Sequence, residues 1–186
     1  MAWQLNKTVV LVGMMGSGKT AVGTAVARLL GVPFLDSDEE IVRAANMSIA
    51  EIFARDGEPF FRRREAEVLM RLLTDQPAIL STGGGAFMSA ENRKAISDFG
   101  IALWLRADLS LLWQRVKGKS TRPLLQTKDP YGALRELHRE RVPIYELADL
   151  IVDARSDYAI EDMANQVIHT LSGRSDVLQE VRNAQR

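Results

Sequence analysis

Residues 8–30, TVVLVGMMGSGKTAVGTAVARLL, begin as a β-rich run of five, pass through a glycine-rich turn and continue in a helical pattern. The turn, Gly13-Met14-Met15-Gly16-Ser17-Gly18-Lys19-Thr20, matches G-x-x-x-x-G-K-[ST]. A strand before it and a helix after it form the context in which that pattern cradles phosphate. Glycine lets the loop wrap so that successive backbone N–H groups point at one anion, and the helix N-terminus adds partial positive charge. Lys19 can reach the β- and γ-phosphates of a nucleoside triphosphate, and Thr20 offers a hydroxyl to magnesium. The competing reading is an ordinary glycine-rich turn.

Working outward, apolar β-rich runs recur at 33–35, 78–80, 101–105 and 150–152, making five candidate strands with 8–12. Four of the five are nearly continuous rather than alternating, as strands buried on both faces of a parallel sheet are, and the run at 33–35 is barely long enough to judge. Helical patterns fill 19–30, 38–45, 58–74, 90–98, 109–116, 131–147 and 160–171, long enough for crossover connections. The expected fold class is α/β, a three-layer sandwich around a five-stranded parallel sheet, in one domain spanning 1–186. Residues 117–130, KGKSTRPLLQTKDP, are polar and basic with two prolines and no period, which predicts a mobile lid. The polar tail 172–186 is expected to fray.

Composition narrows the chemistry. The chain has 186 residues, 24 Lys plus Arg against 24 Asp plus Glu, and no cysteine. A net charge of zero lacks the basic field of a nucleic-acid binder. Without cysteine, and with only His138 and His169, thiol nucleophiles and Cys- or His-rich metal centres are excluded, so any metal must be held by oxygen. Both histidines fall on helical patterns and read as helix-surface residues. The start, MAWQLNKTVVLVG, fits neither a signal peptide nor a membrane span, so a cytoplasmic protein without membrane partners is expected; a monomer is expected as well.

The second run leads into Asp36-Ser37-Asp38-Glu39-Glu40, at the carboxyl edge of a parallel sheet where such folds bind ligands. One acid can face a metal and the other an incoming hydroxyl; equally, the cluster can cap a helix and complement its dipole. The third run ends in Thr82-Gly83-Gly84-Gly85, which implies a backbone closely approached by a ligand or another loop, or a flexible turn. Arg62, Arg63 and Arg64 share a helical pattern with Glu58, Glu65 and Glu67, and most of these charges read as a solvated face. Arg122, just before Pro123 in the lid segment, could swing over a transferring phosphate. Position alone assigns nothing to Arg115 or Arg141.

Taken together, the motifs resemble the shikimate kinase family, small P-loop kinases of the nucleoside monophosphate kinase structural group, across roughly residues 8–171. GMMGSGKT looks like that family's phosphate loop, FLDSD its acidic turn and GEPFFRRREAEV its substrate helix. STGGG looks like its sheet-edge loop, TRPLL its lid and RVPIYELAD its late arginine helix. The resemblance implies ATP-dependent phosphorylation of the 3-hydroxyl of shikimate with Mg2+, with ATP and shikimate as small-molecule partners. It implies that Asp36 lies by magnesium with Thr20, that Asp38 binds the substrate hydroxyls, and that Lys19, Asp38 and Arg122 are catalytic. It further implies that Arg62 and Arg141 bind the shikimate carboxylate, that Gly83, Gly84 and Gly85 line the substrate site, and that Phe53 and Phe61 pack nearby. Residues 13–20 and Arg122 would hold the phosphates and Arg115 would stack on adenine. The chain departs from the family pattern after the last strand, where Asp153-Ala154-Arg155-Ser156 replaces the usual proline or small motif of the second adenine wall. Two rivals are a kinase for another small polyol acid or a nucleotide, and a ligand-sensing module.

Overall fold

The computed structural model describes residues 2–119 and 123–181. Strands β1 (Ala2–Leu5) and β7 (Leu178–Val181) form an antiparallel ribbon. The other five, β2 (Thr8–Val12), β3 (Phe34–Asp36), β4 (Ile79–Ser81), β5 (Gly100–Arg106) and β6 (Leu150–Asp153), build an all-parallel sheet in the order β3-β4-β2-β5-β6. The helices are α1 (Lys19–Leu30), α2 (Ser37–Ala45), α3 (Ile49–Leu73), α4 (Ala90–Phe99), α5 (Leu109–Val116), α6 (Pro130–Tyr145) and α7 (Ile160–Ser172). The expected α/β architecture is present, with the phosphate loop leaving the central strand.

Period-two geometry explains why β2 is apolar throughout. Val9 and Leu11 pack into a core with α1 and α7, whereas Val10 and Val12 pack into a second core with residues of α3 to α6. All five β2 residues are buried. α1 lies close on the sheet through Gly23, where a Cβ would come within 2.7 Å of the Phe34 ring and 2.8 Å of Leu11 Cδ1.

Two expectations need correction. The tail does not fray over its described part: Leu178 pairs with Leu5 in register, Val177 and Leu178 are buried, and Lys7 bonds Asp176 at 2.9 Å. Apolar residues at the two ends of the chain cover the α1 and α7 core together, a pairing invisible in either end alone. The helix expected from residue 58 begins at Ile49, behind a capping box in which Ser48 accepts from Glu51 N–H and Glu51 accepts from Ser48 N–H. Gly57, at φ 81° and ψ 169°, then breaks α3. Of the lid segment, Pro123–Leu125 forms a 3-10 turn with Leu125 buried, and Arg122 lies outside the described residues. Among the described residues no helix is long and apolar enough to cross a membrane.

Candidate active site

Glycines give the phosphate loop its shape. Gly16 and Gly18 hold positive φ angles of 82° and 98°, which a side chain would strain. α1 starts with no side-chain cap and no acid in its first turn, so its N–H groups stay open to an anion. Lys19 Nζ donates to the loop's own carbonyls, Gly13 O at 2.7 Å and Met14 O at 3.1 Å. The Ser17 hydroxyl is buried and has no hydrogen-bond partner among the described residues, which suits a loop built to receive an external acceptor. From α5, Arg115 donates to Gly16 O at 3.0 Å and walls the far end of the loop. Residues 15–20, Asp36, Asp38 and Arg115 line one cavity of about 670 Å³. Ala154, Tyr158, Ile160 and Met163 line the same cavity.

The helix-capping reading of the acidic turn is met, with Asp38, Glu39 and Glu40 in the first turn of α2. Asp36 is the N-cap of α2: its Oδ1 accepts from Asp38 N–H at 2.9 Å and from Glu39 N–H at 3.3 Å. Neither bond uses Oδ2, so Asp36 keeps an oxygen for a cation. Asp38 turns from the first helical turn toward Gly83, where a Cβ would meet its carboxylate oxygens at 3.0 and 3.1 Å. Burial raises its pKa to about 6, reinforced by the charges of Asp36 and Glu65 and opposed by Lys19 and Arg62. The donor set near the loop, the Thr20 hydroxyl and the Asp36 carboxylate, is all oxygen and sparse. It fits Mg2+, which keeps waters and takes phosphate oxygens.

The three consecutive glycines are explained by what presses on them. A Cβ on Gly83 would meet Asp38, one on Gly84 would lie 2.7 Å from Arg141 Nη1, and one on Gly85 would lie 2.7 Å from Arg62 Nη2. None of the three has a positive φ, so close approach rather than backbone freedom demands glycine here. The loop thereby gathers a carboxylate from α2 and guanidinium groups from α3 and α6. Gly83 and Gly84 line the phosphate-loop cavity, whereas Gly85, Arg62 and Arg141 line a neighbouring cavity of about 1010 Å³.

The reading of the α3 charges as a solvated face fails for Glu65, which is only 1% exposed. Its Oε1 accepts from Arg62 Nη1 at 2.9 Å, and Glu58 accepts from Arg62 Nη2 at 3.4 Å. Burial raises the Glu65 pKa against the pull of Arg62; burial also disfavours the charged guanidinium, but Glu65 and Glu58 outweigh it and hold the Arg62 pKa up. Phe61 packs 4.8 Å from Phe53, ring to ring, and Arg62 lies 5.3 Å over Phe61. Tyr145, to which sequence alone assigns no role, is fully buried in α6, and its hydroxyl donates to Gly84 O at 2.6 Å. The i,i+3 spacing of Arg62 and Glu65 and the i,i+4 spacing of Arg141 and Tyr145 were the available signals. No group of three or more Asp, Glu or His among the described residues could hold a metal by itself.

The chain is similar to shikimate kinases in sequence and in fold. The family model for shikimate kinase matches residues 15–172. The shikimate kinase of Ruegeria pomeroyi is 59% identical over 175 residues, 94% of this chain and 90% of that one. That of Cereibacter sphaeroides is 59% identical over 176 residues, 95% and 88% of the two. Among solved structures, shikimate kinase from Acinetobacter baumannii in complex with shikimate superposes with a TM-score of 0.84 at 39% identity, covering 91% of this chain and 94% of that one. A gluconokinase from Sinorhizobium meliloti, at TM-score 0.61 and 18% identity over 91% and 94% of the two chains, shares the fold alone.

Proposed function

The chain belongs to the shikimate kinase family, and from that membership we propose a role for each residue gathered at the glycine loop. The activity is ATP-dependent: the γ-phosphoryl group passes to the 3-hydroxyl of shikimate, giving shikimate 3-phosphate and ADP. The observation that carries the residue roles is the row Gly83-Gly84-Gly85, against which Asp38, Arg141 and Arg62 are packed beside the phosphate loop. A polyol acid presents a carboxylate to two guanidinium groups and a hydroxyl to a carboxylate, so the charges in that row match the acceptor.

Phosphoryl transfer passes through a loose transition state, so positioning and charge neutralisation matter more than covalent help. Residues 13–20 hold the β- and γ-phosphates with backbone N–H groups. Lys19 exchanges its bonds to Gly13 O and Met14 O for phosphate oxygens. Asp38 orients the attacking hydroxyl and accepts its proton. Thr20 and Asp36 would hold Mg2+, which when bound neutralises charge on the phosphate oxygens. Adenine lies between Arg115 and the wall of Ala154 and Tyr158. Arg122, outside the described residues, would bear on the phosphates, a role carried over from the family motif alone.

The test is coupled ADP release with shikimate as acceptor. Each charge-assisted hydrogen bond to a carboxylate contributes about 1.5 to 3 kcal/mol, so Arg62→Ala or Arg141→Ala should weaken shikimate binding roughly ten- to a hundredfold and leave the KM for ATP nearly unchanged. Lysine at either position should recover only part of the loss, because it lacks the planar fork. Shikimate methyl ester phosphorylated as efficiently as the acid would refute the two-arginine clamp.

A further inference from the structure

Tyr145 stands where α6 meets the glycine loop. It heads the fully buried side chains by volume, with its ring stacked on Trp104 of β5 at 5.8 Å and on Phe87 at 6.4 Å between centroids. Packing alone would be served by phenylalanine. The hydroxyl makes the difference: it donates to Gly84 O at 2.6 Å, one turn after Arg141 on the same helix. Both groups crowd the same glycine, since a Cβ on Gly84 would lie 2.7 Å from Arg141 Nη1 and 3.6 Å from Tyr145 Oη. A phenol has one proton to give and lone pairs left to accept, whereas a guanidinium can only donate. The one phenol proton is therefore committed to the Gly84 carbonyl.

We propose that Tyr145 is a positioning residue for the acceptor site, its hydroxyl tying down the Gly84 carbonyl so that the glycine on which the Arg141 guanidinium packs holds that guanidinium in register with the glycine loop to meet the substrate carboxylate. This rests on the carboxylate role of Arg141 above. Free of the tie, an arginine carries three further rotatable bonds beyond χ1 and would have to be ordered by the substrate itself, at a cost in affinity. Burial raises the phenol pKa to about 12, so the hydroxyl remains a donor across the working range of the enzyme.

The experiment is Tyr145→Phe, which keeps the ring stacking and removes only the hydroxyl, measured by shikimate binding, by the separate KM values and by thermal unfolding. Loss of one net hydrogen bond should raise the Kd for shikimate about three- to tenfold, with the KM for ATP and the kcat changed less than about twofold. In an Arg141→Ala background the same substitution should add no further loss of shikimate binding, because the tie then has nothing to position. With shikimate methyl ester the variant and the parent should perform alike. A full additional loss in the Arg141→Ala background, equal weakening of ATP and shikimate, or unchanged shikimate affinity overturns the proposal. So does loss of the fold on Tyr145→Phe by circular dichroism, which would assign the hydroxyl to the core. If Arg141→Ala itself binds shikimate like the parent, the carboxylate reading fails and the positioning role falls with it; failure of the tyrosine variant alone leaves that reading standing.

Discussion

Lys19→Ala should lower kcat by roughly 10³-fold or more while leaving the circular dichroism spectrum unchanged, the range expected when a cationic clamp is removed from a transferring phosphoryl group. The residue has little to do in the fold. Its ammonium rests on two carbonyls of its own loop, Gly13 O and Met14 O, and its side chain lines the cavity rather than either core. Gly13, Gly16 and Gly18 hold the loop's shape through their positive φ angles and do not depend on Lys19. Arginine at this position should restore little, since its broad fork cannot replace a compact ammonium inside so tight a loop. Near-normal turnover in a folded Lys19→Ala protein would remove the phosphate loop from the chemistry.

The parts legible in the sequence were those whose signal is local. The turn at 13–20 carries its own pattern, and the continuous apolar runs of β2 and β5 mark a sheet buried on both faces. The ribbon of β1 and β7 was hidden because its partners stand at opposite ends of the chain and neither has a periodicity long enough to judge. The early start of α3 was legible in Ser48-Ile49-Ala50-Glu51, a capping box, but Gly57 and Pro59 interrupt the helical pattern behind it and pull the apparent start forward. Glu65 was misplaced for a different reason. Charge patterning along one helix cannot tell a solvated carboxylate from one buried by a neighbouring element. The glycine loop illustrates the same limit. That three glycines imply close approach was clear, but that α2, α6 and α3 each send one charged group to one glycine follows from tertiary packing alone.

Asp38→Asn separates activity from stability with opposite signs. Removing the charge while keeping the shape should cut kcat by roughly 10²- to 10⁴-fold, the range of a lost general base, with the KM for ATP little changed. The same substitution should stabilise the free protein at neutral pH. Folding raises the Asp38 pKa from 3.8 to about 6, chiefly by burial. A raised carboxylate pKa means that its favourable contribution is fully present below pH about 4, in the protonated form, and is lost as pH climbs through about 6. At pH 7.5 the ionised group therefore costs the fold about 3 kcal/mol relative to a neutral side chain. Asparagine removes that cost, and Tm should rise by several degrees at pH 7.5, with the gain shrinking as the pH is lowered through 6 toward 4. In the parent enzyme the acid limb of kcat/KM for shikimate should fall near pH 6, as the carboxylate takes up its proton and can no longer accept one from the hydroxyl. A variant that is equally inactive but less stable at pH 7.5, or a parent whose acid limb lies near pH 4, would mean that Asp38 is not the buried, charge-strained base that its place against Gly83 indicates.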